Sequence, residues 1–261
     1  MLQANSVHLT LGKRPVLRGI DFNAKPEALT AIVGPNGSGK TTLLRALTGD
    51  VTYRGRVTLD GKDIRHCKPW QLAARRAVLP QATQLAFPFT VYEVVRLGLS
   101  AGLEAERDHL IPEALARVGL AGFEGRFYQE LSGGEQQRSQ LARVMVQVWE
   151  PVVHGKPSWM FLDEPVASLD IGHQLEIMTL AQNYAKAGGG VVAVMHDLNL
   201  TAMFADSVAM LNGGRLVHQG TAKAVLTNEN LSSAYGCQLQ INTPPPDQEI
   251  YVLPHATRTY Q

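Results

Sequence analysis

Hydrophobic and polar residues alternate in Ser6-Val7-His8-Leu9-Thr10-Leu11 and again in Val16-Leu17-Arg18-Gly19-Ile20-Asp21-Phe22. A period of two puts one face of each segment in a core, so the pair reads as antiparallel strands joined at Gly12-Lys13. Residues 55–59, followed by the turn Asp60-Gly61, predict a further antiparallel edge. Leu29-Thr30-Ala31-Ile32-Val33, Trp159-Met160-Phe161-Leu162 and Gly190-Val191-Val192-Ala193-Val194-Met195 are nearly continuous apolar runs, the pattern of strands buried on both faces. Ala77-Val78-Leu79-Pro80-Gln81 reads as a strand end that leaves the core at a glutamine. Residues 207–211 and 215–218 predict a hairpin across Asn212-Gly213-Gly214.

Helical periodicity appears at 43–47, 70–76, 91–99 with Thr90 as N-cap, 106–118 ending at Gly119, after 131–138 as far as about Trp149, at 172–187, and at 228–235 with Asn228 as the expected cap. Residues 150–157 hold two prolines, a glycine and a histidine and read as a roomy loop. Residues 250–253 read as strand-like. From about 82 to about 140 helices and loops replace strands, which predicts a helical subdomain inserted into a single α/β domain. Residues 221–261 form a C-terminal extension.

The chain has 261 residues, 45% of them hydrophobic, which suffices for a sizeable core. Its 24 basic and 23 acidic residues leave a formal charge of +1 and no large field for nucleic acid, so nucleic acid is not an expected partner. Cys67 and Cys237 have no metal or redox spacing. The N-terminus lacks a secretory pattern and no run approaches a membrane span, so a cytoplasmic protein is expected.

The chemistry concentrates at Gly34-Pro35-Asn36-Gly37-Ser38-Gly39-Lys40-Thr41-Thr42, a G-x-x-x-x-G-K-[ST] sequence between a predicted strand and a predicted helix. A tight loop with inward backbone N–H groups makes a concave anion site, and side chains in its wall would block the phosphates. Lys40 reaches the outer phosphates, the Thr41 hydroxyl suits Mg²⁺, and the helix aims its positive end at the same anion. These features predict nucleoside triphosphate binding. Asp163, ending an apolar strand, suits the outer shell of Mg²⁺ or a water-mediated ligand, and Glu164 beyond it could polarise the attacking water. Ser132-Gly133-Gly134 before a helix offers a second anion site built from a hydroxyl and unobstructed amides.

Taken together, residues 34–41, 131–138 and 162–165 resemble the ATP-binding subunits of ABC transporters, and nearly the whole chain follows that pattern in order. The resemblance implies a RecA-like P-loop core with an antiparallel β subdomain and a helical subdomain. It implies ATP and Mg²⁺ as cofactors, and a homodimer with two ATP molecules between the copies. Each nucleotide would touch the phosphate loop of one copy and Ser132-Gly133-Gly134 of the other. Gln81 matches the glutamine that links the Mg²⁺ site to the helical subdomain, Ser168-Leu169-Asp170 the loop that crosses the dimer interface, and His196 the histidine that contacts the γ-phosphate.

Two departures stand out. The family places an aromatic residue under adenine where this chain has Leu11, which leaves aliphatic surface, His8 or Arg14 to hold the base. Val166-Ala167 replaces a more familiar threonine-serine pair. With no fused membrane domain, import is expected rather than export, at the cytoplasmic face of the inner membrane, with two permease subunits and an extracytoplasmic substrate-binding protein as partners. Residues 89–98 resemble importers of iron chelates, cobalamin and haem. The wide connection at 149–159 and the tail (Tyr235-Gly236-Cys237, Asn242-Thr243-Pro244, Val252-Leu253-Pro254-His255) resemble the haem-importer ATPases. The alternatives are an iron-siderophore or cobalamin importer, or a soluble ABC-type ATPase. The eight histidines are scattered, and only His154 stands out as one to test against haem.

Overall fold

The computed structural model describes residues 1–81, 87–101, 107–244 and 250–254. The start of the helical stretch at residue 82, the helix start at Glu106, and Pro245, Pro246 and His255 of the tail lie outside the described residues.

Two sheets organise the chain. Strands β1 (Leu2–Leu11) and β2 (Arg14–Ala24) pair antiparallel, with Leu11 opposite Arg14 at the hairpin tip. β1 begins four residues earlier than alternation predicts. A bulge explains this: the register slips between Ala4 and Val7, Ser6 has φ +49°, and Asp21 accepts a hydrogen bond from its N–H at 2.7 Å. The bulge breaks the period of two, so the pattern is readable only after it. β3 (Leu29–Val33) leads into α1 (Lys40–Thr48). β4 (Arg54–Leu59) lies between β1 and the two-residue β5 (Lys62–Asp63), and so is interior to the first sheet rather than its edge. A short α2 (Pro69–Ala73) precedes β6 (Arg76–Leu79); the expected helix to residue 76 stops earlier because Arg76 is already paired with Trp159.

Three helices follow: α3 (Val91–Ala101), α4 (Leu110–Arg117) and α5 (Gly133–Gln147). Thr90 caps α3, exchanging hydrogen bonds with Glu93 at 2.8 and 3.3 Å. α5 starts directly after Ser132, so residues 133–138 form its first turns instead of preceding it. The 150–157 connection is a small hairpin, β7 (Val152–Val153) and β8 (Lys156–Pro157), turning at His154 and Gly155, both at positive φ. β9 (Trp159–Asp163), α6 (Ile171–Lys186), β10 (Gly190–Val194) and α7 (Leu198–Phe204) come next, then β11 (Ser207–Asn212), β12 (Arg215–Gly220), α8 (Ala222–Val225) and α9 (Asn228–Tyr235). Thr227, not Asn228, caps α9. The Asn228 side chain instead accepts from the N–H of Ile241 at 2.7 Å and ties down the tail. Residues 250–253 form no strand, and Ile250 is 96% exposed.

The second sheet runs β12-β11-β3-β10-β9-β6; all but β12 are parallel. Its faces feed different cores. Leu29, Ala31, Val33, Met160, Leu162, Val191 and Ala193 pack toward α3–α7. Ile32, Trp159, Phe161, Val192 and Val194 pack toward α1 and the antiparallel sheet. Burial on both faces explains why these strands lack alternation in sequence. α3 and α5 approach closely at Gly98, where an added Cβ would sit 2.1 Å from the Arg143 carbonyl oxygen. Gly98→Ala is therefore expected to destabilise the protein by about 1–3 kcal/mol through overpacking. Urea unfolding should show this as a lower midpoint at unchanged slope.

Candidate functional site

Four adjacent strands end at one cleft. β3 runs into Gly34, β10 ends two residues before His196, β9 ends at Asp163-Glu164, and β6 ends two residues before Gln81. The cleft has a volume of about 740 Å³. Its phosphate-loop end is lined by Asn36, Gly37 and residues 39–42, and Gln81, Glu164 and His196 also line it. Gly213 and Gly214 close one side, and Leu11, Arg14, Pro15, Val16 and Arg18 line the rest. Open parallel sheets place ligands at the carboxyl ends of their strands.

The loop is built to receive an anion. At Gly34 (φ +143°) a Cβ would fall 2.1 Å from the Leu211 carbonyl oxygen, so no side chain fits there. α1 begins behind Gly39 at φ +103° with no side-chain cap, which leaves the first amides of the helix for another acceptor. The Ser38 hydroxyl is buried without a hydrogen-bond partner among the described residues. Lys40 donates from Nζ to the carbonyls of Gly34 at 2.9 Å and Pro35 at 3.2 Å. The Gly214 N–H donates to the Ser38 carbonyl at 3.2 Å, and the Gly214 carbonyl accepts from Arg18 at 2.8 Å. The β11–β12 turn thus braces the loop against β2. Nothing in the Asn212-Gly213-Gly214 sequence beyond its turn signal announces that role.

The Thr41 hydroxyl donates to Asp163 Oδ1 at 3.1 Å. Burial pushes Asp163 above the usual carboxylate range and Glu164's charge adds to this, while Thr41 and Lys40 pull the other way. Burial also draws Lys40 below the ordinary lysine value, against the attraction of Glu164 and Asp163. Thr41, Asp163 and Gln81 offer oxygen donors only, the set that suits a hard cation such as Mg²⁺. Glu164 adopts φ +54°, a left-handed conformation uncommon for this residue type. Its carbonyl accepts from Gln137 at 2.7 Å, its N–H donates to Val194, and Oε1 lies 2.6 Å from His196 Nε2. Gln137 was not among the expected site residues. Its role arises across 27 residues of sequence, and a helical glutamine carries no signal of it. Asp197 beside His196 is an N-cap, accepting from Asn199 and Leu200.

Ser132, Gly133, Gly134 and Asp170 do not line this cleft. Ser132 caps α5 in a reciprocal box with Glu135: its hydroxyl donates to Glu135 Oε2 at 2.8 Å and accepts from the Glu135 N–H at 3.3 Å. Asp170 caps α6 and holds His173 Nδ1 at 2.8 Å. The two segments adjoin, since a Cβ on Gly134 would lie 3.1 Å from the Ser168 carbonyl oxygen. His8 is also off the cleft, its ring beside Gly19. His154 is exposed at its hairpin turn.

The folded-state pKa of Asp163 is raised, so its charge opposes folding at neutral pH and ceases to do so as the carboxyl protonates. Asp163→Asn is expected to raise the thermal midpoint of the nucleotide-free protein at pH 7.5. That advantage should shrink as pH falls toward 4. A variant melting below wild type at pH 7.5 would show that the ionised carboxylate stabilises the fold.

A family model described as ABC transporter matches residues 17–167. A hemin import ATP-binding protein HmuV from Jannaschia sp. (strain CCS1) is 64% identical over 258 residues, covering 99% of this chain and 96% of the relative. The protein of the same name from Roseobacter denitrificans (strain ATCC 33942 / OCh 114) is 61% identical over 255 residues, covering 98% of each. Among solved structures, the ADP conformation of MJ1267, an ATP-binding cassette of an ABC transporter, superposes with a TM-score of 0.76 at 23% identity. It covers 90% of this chain and 98% of that one, a likeness of fold. The chain belongs to the ABC transporter family, as an ATP-binding and hydrolysing subunit.

Proposed function

We infer that this ATPase powers haem uptake. Two copies would sit beneath two membrane-embedded permease subunits at the cytoplasmic face of the membrane, with an extracytoplasmic substrate-binding protein delivering the cargo. The haem assignment rests on the near-full-length identity to hemin import proteins. Among the described residues no helix is long and apolar enough to cross a membrane.

The observation that carries the mechanism is a division of motifs. Lys40, Thr41, Gln81, Glu164 and His196 line one cleft, while Ser132-Gly133-Gly134 and Asp170 lie on a separate surface of the same chain. A second helix start suited to an anion and outside the first site fits a nucleotide shared between two copies. In this reading the phosphate loop, from Gly34 to Thr42, holds the phosphates by its amides and by Lys40. Thr41, Asp163 and Gln81 hold Mg²⁺, which would offset charge on the outer phosphates. Glu164 takes the proton of the attacking water, and its left-handed backbone aims the carboxylate at His196, which reaches the γ-phosphate. Ser132, Gly133, Gly134 and Asp170 of the second copy complete the enclosure. Closure depends on the nucleotide binding the joined state better than the separated one, so hydrolysis reopens it.

A second groove, about 720 Å³, lies between residues 49–53 after α1, residues 64–73 including α2, β6 and α5, and includes Asp50, Arg65, Arg76 and Arg143. β6 runs from it to Gln81. That path fits a permease helix docked in the groove whose position follows the Mg²⁺ site. The helical subdomain, from about residue 82 to about 140, would then be the part that moves, although α5 continues to Gln147 and packs on β6.

Glu164→Gln is expected to bind ATP and dimerise while its turnover falls by about 10²–10⁴-fold, the usual contribution of a general base. Phosphate release and light scattering with ATP present read the two effects, and normal turnover removes Glu164 as the base. Reconstituted with its permease in vesicles, the wild-type protein should hydrolyse ATP faster with haem-loaded binding protein than with a ferric siderophore or cobalamin. Stimulation by either of those instead overturns the cargo assignment.

A further inference from the structure

Among the described residues, no aromatic side chain lines the far end of the nucleotide cleft to carry a base. The β1–β2 hairpin leaves the phosphate loop at Val16, whose carbonyl lies 3.3 Å from the position of a Cβ on Gly39, and ends at the Leu11–Arg14 pair. Leu11 is 55% exposed and offers a branched aliphatic tip rather than a flat face. His8, the nearest imidazole in sequence, sits against Gly19 and outside the cleft. Arg14 lines the cleft at the hairpin tip, and it has no ion-pair partner among the described residues.

We propose that Arg14 is the base-binding residue of this ATPase: its guanidinium plane lies against the purine over an apolar floor of Leu11 and Val16. A guanidinium is planar, weakly hydrated and stacks on aromatic faces, so it supplies the flat contact that Leu11 cannot. This contact has a consequence for selectivity. Stacking is tolerant of base identity because every base has a π-face. The side chains at this end of the cleft (Leu11, Arg14, Pro15, Val16, Arg18) contain donors or no polar atoms at all. None can accept a hydrogen bond from the 6-amino group of adenine, so these side chains add no preference for adenine to the base-tolerant stack. The protein therefore accepts GTP about as well as ATP.

The inference rests on the nucleotide cleft proposed above, and the experiment separates the two. Binding of mant-ATP and mant-GTP to the purified full-length chain is measured by fluorescence for wild type, Arg14→Ala, Arg14→Lys, Arg14→Tyr and Lys40→Ala. Wild type should bind the two nucleotides within about fivefold of each other. Arg14→Ala should weaken both by on the order of tenfold. Arg14→Lys keeps the charge but not the plane and should resemble Arg14→Ala, while Arg14→Tyr should recover most of the affinity. Undiminished binding by Arg14→Lys would mean that Arg14 acts on the phosphates as a charge, and the proposal fails. It also fails if Arg14→Ala binds within twofold of wild type, or if wild type prefers mant-ATP by fiftyfold or more. If Lys40→Ala binds as wild type does, the nucleotide cleft itself is misplaced. Loss in Lys40→Ala with none in Arg14→Ala sinks only the inference about the base.

Discussion

The register of four parallel strands holds the site together. Val194 is opposite both Asp163 and Ile32, and Leu79 is opposite Leu162, so β3, β10, β9 and β6 end nearly flush. Backbone hydrogen bonds carry this alignment up to the cleft, from Glu164 to Val194 and from Met195 to Ile32. A slip of one residue in any strand would exchange its two faces and bury the wrong set of side chains. Because both faces are apolar and enclosed, no such slip is tolerated. Functional groups separated by more than 150 residues, Lys40 and His196 among them, are thereby fixed around one small volume.

Within that volume the residues are held away from their most relaxed state. Asp163 and Lys40 are both shifted toward neutrality by burial, each partly rescued by opposite charge nearby. Glu164 occupies a left-handed backbone conformation that costs on the order of 1 kcal/mol or more. Gln137 and Val194 fix its peptide groups on both sides. Such a site stores cost that a bound phosphate and cation would relieve, which is consistent with a protein whose conformational equilibrium answers to nucleotide.

The surface carrying Ser132 and Asp170 obeys a different logic. Each of its helix starts has one side-chain cap, Ser132 accepting from the Glu135 N–H for α5 and Asp170 accepting from the His173 N–H for α6. One chain therefore orders that surface by local contacts of its own. The hairpin tip, where Leu11 and Arg14 line the cleft, is by contrast a place where the chain departs from the family's pattern.

Much of this was legible in the sequence. Period-two alternation locates β1 and β2, apolar runs locate β3, β9 and β10, and the glycine spacing of the phosphate loop marks the candidate site. These signals are local: each arises from residues within a dozen positions of one another. What sequence alone could not supply was set by contacts between distant segments. The bulge at Ser6 shifted the start of β1, pairing with Trp159 ended α2 early, and Thr227 took the cap while the Asn228 side chain accepts from the distant Ile241 N–H. The brace from Gly214 to the phosphate loop, the hold of Gln137 on Glu164, and the placement of Arg14 rather than His8 along the cleft likewise exist only once the sheets are assembled. Sequence determined which chemical groups are present and which short segments carry them. Tertiary structure decided which of those groups meet, because hydrogen-bond register and two-sided burial act between strands that the chain itself keeps far apart.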